Sequence, residues 1–420
     1  MVPDMDISRL HLFPIKNIHP TPAALLGPGA HEMIGVSAAQ LGMRRVLLMT
    51  TGLRGTGIVD EVRGIVEAAG VSVEVFDRVE SNPKDHNVMD AHVAYVDAQC
   101  DGFISLGGGS SHDCTKATRV VAAHDGRTIN DFKGQLTLDN PVLPPHIAVS
   151  TTAGTGSETS FAFVVTDTTT GPENHKFASF AHQIAPSMCI DDPVLFMPMP
   201  ADLTAYCGFD VLAHAAGAYV SILDAYPSWG PALQAIELTF RWLPTAVGNG
   251  YDPVAREQMM YAQYIAGLAF NSAGLDITHS ISHAMSARFD THHGMGNGIA
   301  ITRAWEHNVA ANYPKFARMA AAMGFNTHGL TDVAAADLAL AGIARLADDV
   351  GIPQSFTTLP DYTKSRVGMN GFPPVSATGD DITQITTHAL GDVCTVTNPK
   401  LMTPESMAAL VEDSLVGARS

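Results

Sequence analysis

The stretch GFDVLAHAAGAYVS, residues 208–221, is apolar enough for a buried helix yet carries a carboxylate and an imidazole, Asp210 and His214, four positions apart. On a helix that spacing stacks two side chains one turn apart on one face, which is how a helix offers two ligands to one cation. A capping aspartate and a satisfied core histidine would look the same, so the pair decides nothing alone. A second stretch, ITHSISHAMSARFDTHHG at 277–294, repeats the spacing in His279 and His283 and adds His293, fourteen residues after His279. One oxygen donor with two or three imidazoles is too rich in nitrogen for calcium and suits Zn2+ or Fe2+, while Mn2+ or Mg2+ would bind with altered geometry. Four of the five candidates Asp210, His214, His279, His283 and His293 would close a tetrahedron. The neighbouring His292 reads as a solvent-facing loop residue.

A different chemistry is written nearer the start. SLGGGSSHDCTK, 105–116, puts three glycines directly after a strand-like run and a Ser/Asp-rich helix start directly after them. Glycines let a backbone approach a phosphate, and the free N–H groups and dipole of a helix start favour a diphosphate. A tight strand-to-helix turn is the plainer alternative, but it rarely needs three glycines in a row. STTAGTGSET, 150–159, is a second loop after a strand, dense in hydroxyls. Two such loops on neighbouring strands point to a dinucleotide across the strand ends. Neither loop is a GxGxxG, a Walker or a GxSxG motif. After the first strong strand the chain reads Thr50, Thr51, Gly52, with Arg54 close by. No carboxylate stands there to repel a 2′-phosphate, so NADP is permitted.

The elements that must carry these groups fall into two kinds. From about 44 to 192, strand runs ending at Thr50, Asp77, Leu106 and Thr151 alternate with helical patterns, which argues an α/β unit with a parallel sheet. Prolines 193, 198 and 200 suit a linker. Beyond it the periodicity is helical: 202–222, 230–246, 252–288, 314–323, 331–350, 380–392 and 403–417. The expected division is an α/β dinucleotide-binding domain over 1–195 and an all-helical metal-binding domain over 196–420. Residues 353–380, rich in Pro, Gly, Ser and Thr, are too long for a routine connection and read as a lid or an interface arm.

Composition limits the partners. With 46% hydrophobic and 16% charged residues in 420 positions, the chain is a well-buried globular protein. A formal charge of −18 disfavours nucleic acid and anionic membranes. No apolar run is long enough to span a bilayer, and the acidic start lacks a signal-peptide pattern, so a cytoplasmic location is expected. Cys100, Cys114, Cys189, Cys207 and Cys394 are scattered, without a CxxC, which argues against a disulfide frame.

GGGSSHDCTK, TTAGTGSE, GFDVLAHA and HSISHAMSARFDTHHG, in this order, resemble the iron-containing, or group III, alcohol dehydrogenases. The likeness extends to SNPKDHNV at 81–88 and CTVTNPK at 394–400, so it covers nearly the whole chain. It implies Asp210, His214, His279 and His293 as metal ligands and His283 as the group near substrate and nicotinamide. It also implies that Gly108, Gly109 and Ser110 hold the diphosphate, with Asp113 at the helix start. Thr50, Asn82, Thr151, Thr152 and Thr155 would line the cofactor, and Lys176 would aim at the ribose. Two departures stand out: HAAG replaces the frequent HAIE, putting Gly217 where a Glu is common, and the adenosine-side Asp of NAD-specific members is missing, which tilts the choice from NAD(H) to NADP(H). Within the family the chain is most similar to nicotinoprotein methanol dehydrogenases and formaldehyde dismutases, in which the cofactor stays bound and a second substrate reoxidises it. The resemblance thus implies oxidation of methanol and short primary alcohols, a homo-oligomer (a dimer or a larger ring), and an electron-acceptor partner. A dehydroquinate-synthase-like lyase shares the two-part plan, but its phosphorylated acidic substrate needs a basic pocket, and 202–300 offers few Lys or Arg. A non-catalytic metal- and nucleotide-binding scaffold is the reading outside enzymes.

Overall fold

The structure is a computed structural model that describes residues 16–19, 21–140, 142–169, 171, 175–359 and 375–417. Among these, the apolar runs read as strands pair in parallel. They are β2 (Arg45–Thr50), β3 (Ser72–Phe76), β4 (Gly102–Gly107) and β5 (His146–Ser150), preceded by β1 (Ala23–Leu26), which the sequence reading did not include. After an antiparallel ribbon of β6 (Ala162–Asp167) and β7 (His175–Phe180) comes β8 (Met188–Asp191). The main sheet has six strands in the order β1-β8-β5-β4-β2-β3, every pairing parallel.

Alternation along β2 explains why helices cover both faces. Val46 and Leu48 join the layer of α1 (Ile34–Gln40) and α2 (Ile58–Ala68), whereas Leu47 and Met49 pack with Val88 of α3 (Asp85–Asp97) and Ala117 of α4 (Gly109–Ala122). The chain leaves β2 for β3 on one side and returns to β4 on the other. At such a reversal the loops after the strands diverge and leave a crevice at their carboxyl ends. The loops after β2 and β4 both open there.

From α5 (Pro193–Phe196) onward the described chain is helical: α6 (Ala201–Val220), α7 (Tyr226–Gly248), α8 (Pro253–Ala273), α9 (Ile277–Phe289), α10 (His293–Asn308), α11 (Tyr313–Ala322), α12 (Asp332–Val350), α13 (Gly379–Gly391), α14 (Val393–Val396) and α15 (Pro404–Val416). α6 is buried from Leu203 to Val220 and packs against α7, α8 and α10. The fold class is therefore the expected one, a parallel-sheet α/β part followed by a helical part.

Several details differ from the sequence reading. The helix expected over 252–288 is two, because Gly274 turns the chain at φ 71° and Asp276 caps α9 by accepting from Thr278 N at 2.9 Å. α10 was not anticipated, since Gly294, Gly296 and Gly298 each lower helix propensity by about 1 kcal/mol. Packing overrides that cost. A Cβ on Gly294 would stand 2.5 Å from the Tyr206 carbonyl oxygen of α6, and one on Gly296 2.5 Å from Ser282 Oγ of α9. The expected linker holds a short helix instead, with Asp192 accepting from Val194 N and Pro193 at the first turn. β1, the β6–β7 ribbon and β8 also lacked a sequence signal. Of the expected insertion at 353–380, residues 360–374 lie outside the described residues. No described helix is long and apolar enough to cross a membrane.

Candidate metal and cofactor site

Three helices bring the candidate ligands together. α6 supplies Asp210 and His214, α9 supplies His279 and His283, and α10 begins with His293. Asp210 Oδ1 lies 3.8 Å from His279 Nε2 and 3.6 Å from His293 Nε2, and these three residues form a donor group whose ligand atoms all fall within 4.8 Å of one another. An ion about 2.1 Å from each donor in a tetrahedron would set them about 3.4 Å apart, so the spacing fits a first-row divalent cation. His214 borders the trio without belonging to it: its Nδ1 is 3.7 Å from Asp210 Oδ1, and its ring stacks on Phe270 at 4.6 Å.

The electrostatics fit as well. Asp210 is 2% exposed on an apolar helix, and a buried carboxylate needs a positive or hydrogen-bonding partner. The Asn297 amide nitrogen stands where the lone pairs converge, 2.7 Å from Asp210 Oδ1 and 3.2 Å from both His279 Nε2 and His293 Nε2. An amide has two hydrogens for three acceptors, so the trio remains short of positive charge. Burial first, and neighbouring imidazoles second, hold His279 and His293 well below the usual histidine range. Both are therefore neutral, the form that binds metal.

His283 sits one turn beyond His279, its ring stacked on His293 at 5.0 Å. Its Nδ1 is 2.9 Å from Oδ2 of Asp392, which also caps α14 by accepting from Cys394 N at 2.8 Å. Burial raises the Asp392 pKa, but the His283 charge and the hydrogen bonds outweigh it and leave the carboxyl below its ordinary range. An ionised carboxylate only accepts, so Nδ1 is the donor and Nε2 is the atom left to take up or pass a proton. Sequence reasoning missed both Asp392 and Asn297. The only signal near Asp392 was the CTVTNPK stretch two residues on, while Asn297 stands four positions after His293, a spacing that went unread because no helix was expected there.

The crevice at the sheet's carboxyl edge is a cavity of about 770 Å3 lined by Thr50, Asn82, Gly108, Gly109, Ser110, Thr151, Thr152 and Thr155, together with Asp210 and His293. A second cavity of about 570 Å3 adjoins it and is lined by Asp113, Lys176, His214, His279 and His283 as well as Asp210 and His293. The two therefore meet at the donor trio. Among the described residues, Thr50 Oγ1 and Thr152 Oγ1 are buried without a hydrogen-bond partner and the start of α4 has no side-chain cap. Orphaned hydroxyls and free N–H groups at a helix start suit a polar, anionic ligand. The glycines have a second role, since a Cβ on Gly108 would stand 2.7 Å from Thr152 Oγ1 and one on Gly109 2.9 Å from Thr155 Cγ2. The two loops thus pack directly on each other.

Asp113 accepts from Ser157 Oγ at 2.6 Å and from Val164 N at 3.0 Å, so both its oxygens tie α4 to the neighbouring loop and β6. Lys176 Nζ donates to Asn82 Oδ1 at 2.7 Å and to Ser286 Oγ at 2.8 Å, and burial brings it down to about 8. Asn82, at φ 49°, donates in turn to Asp290 Oδ1 at 2.8 Å. Lys176 and Asn82 thereby join the sheet half to α9.

Two expectations need correction. His292 is not a solvent-facing loop residue: it is the N-cap of α10, half-buried on the crevice wall, and burial pulls it down to about 4. The crevice wall is not free of carboxylates either, although none directly follows β2. Asp77, just past β3, lines the crevice and pairs with Arg54 at 3.0 Å. The departure at Gly217 is absorbed by packing, because a Cβ there would stand 3.1 Å from the Asp276 amide nitrogen.

A doubly wound sheet whose crevice runs into a buried carboxylate–imidazole trio has the layout of a metal-assisted, nucleotide-dependent dehydrogenase. Residues 21–193 match the iron-containing alcohol dehydrogenase model, and 204–415 match the C-terminal model of the Fe-containing alcohol dehydrogenase family. The chain is 53% identical over 414 residues to the methanol:N,N-dimethyl-4-nitrosoaniline oxidoreductase of Amycolatopsis methanolica, covering 96% of each. It is 36% identical to the NAD-dependent methanol dehydrogenase of Bacillus methanolicus, covering 96% of this chain and 100% of that one. A crystal structure of 1,3-propanediol oxidoreductase superposes with a TM-score of 0.87 at 37% identity, covering 96% of this chain and 100% of that one. The chain belongs to the iron-containing alcohol dehydrogenase family.

Proposed function

We propose that this enzyme oxidises methanol and other short primary alcohols to aldehydes by hydride transfer to a tightly held nicotinamide dinucleotide. The observation that carries the reading is the convergence of Asp210 Oδ1, His279 Nε2 and His293 Nε2 at the junction of the two cavities. Residues 1–195 are the proposed cofactor half and 196–420 the metal half. When bound, a divalent cation (Fe2+, Zn2+, Mn2+ or Mg2+) supplies Lewis-acid polarisation of the alcohol oxygen, and the nicotinamide supplies the hydride acceptor.

This chain's own residues do the rest. Asp210, His214, His279 and His293 would hold the cation, with Asn297 steadying their geometry. His283, its Nδ1 hydrogen given to Asp392, would take the alcohol proton on Nε2. The loop at Gly108–Ser110 and the threonines at 151, 152 and 155 would fix the cofactor so that the two reactants meet in a set orientation. Asp77 lines the crevice in an ion pair with Arg54, and a carboxylate on that wall supports NAD(H) over the NADP(H) first favoured.

The names of the three oxidoreductase relatives at 50–53% identity support a second substrate, an electron acceptor that restores the bound cofactor. Aldehyde serving as that acceptor would give formaldehyde dismutation, the second reading. A homo-oligomer in the cytoplasm completes the proposal. The test is single turnover: methanol added to purified protein without free cofactor should raise the absorbance of reduced nicotinamide. No change, with nucleotide present on denaturation, would reject the reading.

A further inference from the structure

The cavity beside the donor trio is larger than a one-carbon alcohol requires. At about 570 Å3 it falls within the range, roughly 300–1,000 Å3, that suits drug-sized ligands. Its outer wall is aromatic. The His19 ring stacks on Phe161 with centroids 4.2 Å apart and planes at 27°, and His182 stands 4.4 Å from His19 and 5.6 Å from Phe161. Phe180 meets Phe161 edge-on at 6.3 Å.

These four rings come from three pieces of chain. The segment before β1 is held by His19 N donating to Ser272 Oγ at 2.9 Å, and the entry to β6 by Phe161 N donating to Asn271 Oδ1 at 3.3 Å. β7 ends at Phe180, and His182 lies in the turn that follows. The wall is not core: His19, Phe161 and Phe180 are half-buried, and His182 is exposed. Neither cation nor dinucleotide calls for it. The charged groups between wall and trio, Asp113 and Lys176, are already hydrogen-bonded to protein atoms. The wall offers a ligand ring surface, flanked by Leu136, Leu223 and Leu275 of the same lining, and rings bind rings in offset-stacked or edge-to-face contact.

We propose that the wall formed by His19, Phe161, Phe180 and His182 is the subsite for the second substrate, a planar aromatic two-electron acceptor of the nitrosoarene class. The proposal rests on the functional reading above, in which the bound cofactor needs such a partner. The overall exchange balances: methanol and Ar–N=O give formaldehyde and Ar–NHOH, with the alcohol's hydride ending on nitrogen and its proton on oxygen. One cavity would then serve both substrates in turn, the alcohol at the trio and the arene against the wall.

The experiment is equilibrium dialysis of N,N-dimethyl-4-nitrosoaniline against the full chain with its bound cofactor, which requires no turnover. Phe161→Leu and His19→Ala should each raise the dye's dissociation constant about tenfold. Phe161→Tyr, which keeps the ring, should hold it within about twofold of the parent. Single-turnover reduction by methanol in the same variants should change less than dye affinity does. Unchanged dye affinity in Phe161→Leu and His19→Ala would overturn the subsite, as would equal loss in Phe161→Leu and Phe161→Tyr. Failure of methanol to reduce the parent's nicotinamide would instead count against the functional reading, and the dialysis result would still decide the subsite.

Discussion

Asp392 takes the Nδ1 hydrogen of His283 and so decides which ring nitrogen is left to handle a proton. If His283 relays the alcohol proton, His283→Gln should keep its metal while kcat falls about 100-fold or more. Asp392→Asn, which can stabilise the wrong tautomer, should lower kcat about tenfold or more with little change in KM for methanol. Metal analysis and steady-state kinetics on the two variants check both. Equal metal loss in His283→Gln would make His283 a ligand. On the other wall of the crevice, Asp77→Asn should shift the ratio of NADP to NAD affinity upward, read by titrating the nucleotide-free protein; an unchanged ratio would free Asp77 of that role. Legibility at this scale followed spacing. Asp210 with His214, and His279 with His283, declare themselves as neighbours one helical turn apart. Asp392 is 109 positions from His283, so only the fold joins them, whereas Asn297 is one turn from His293 in a helix that its glycines concealed.

α10 shows the same divide among elements. Its glycines argue against a helix locally, yet they are what lets it press against α6 and α9 and bring His293 to Asp210. Gly294→Ala would drive a methyl group into the backbone of Tyr206, whose carbonyl cannot swing away as a side-chain tip could. Overpacking of this kind costs about 1–3 kcal/mol. The expected outcome is a lower unfolding midpoint in denaturant together with weaker metal retention; full metal retention would mean α10 is not what sets the site. Strands β2 to β5 of the sheet were legible because β-branched runs ended in turn residues, and β8 was not. Nor were β1 and the β6–β7 ribbon, being short or partly polar and defined by their partners.

Across the molecule, the two halves share the crevice, and the helical half carries a stability cost of its own. Asp276 caps α9 while 1% exposed, and burial pushes its carboxyl up from 3.8 to about 6. That rise corresponds to roughly 3 kcal/mol, more than the ~0.3–1 kcal/mol a helix start returns to a charged cap. Because the folded value lies above the ordinary one, the protonated form favours folding. The contribution is complete below pH 3.8 and lost as the pH rises through about 6. Asp276→Asn keeps the cap without the charge. It should melt higher than the parent at about pH 7.5, with the gap narrowing toward pH 5; a gap independent of pH would exclude this origin. The overall division into sheet half and helical half was readable because hydrophobic period changes from two to 3.6 near the prolines. The aromatic wall was not, since four rings scattered from His19 to His182 carry no shared period.

The most direct measurement is divalent-metal content per chain in the parent protein and in His279→Ala, purified alike. The account predicts about one ion per chain in the parent and almost none in the variant, with methanol-driven reduction of the bound nicotinamide lost in parallel. A His279→Ala protein that keeps its ion, or that oxidises methanol without one, would contradict it.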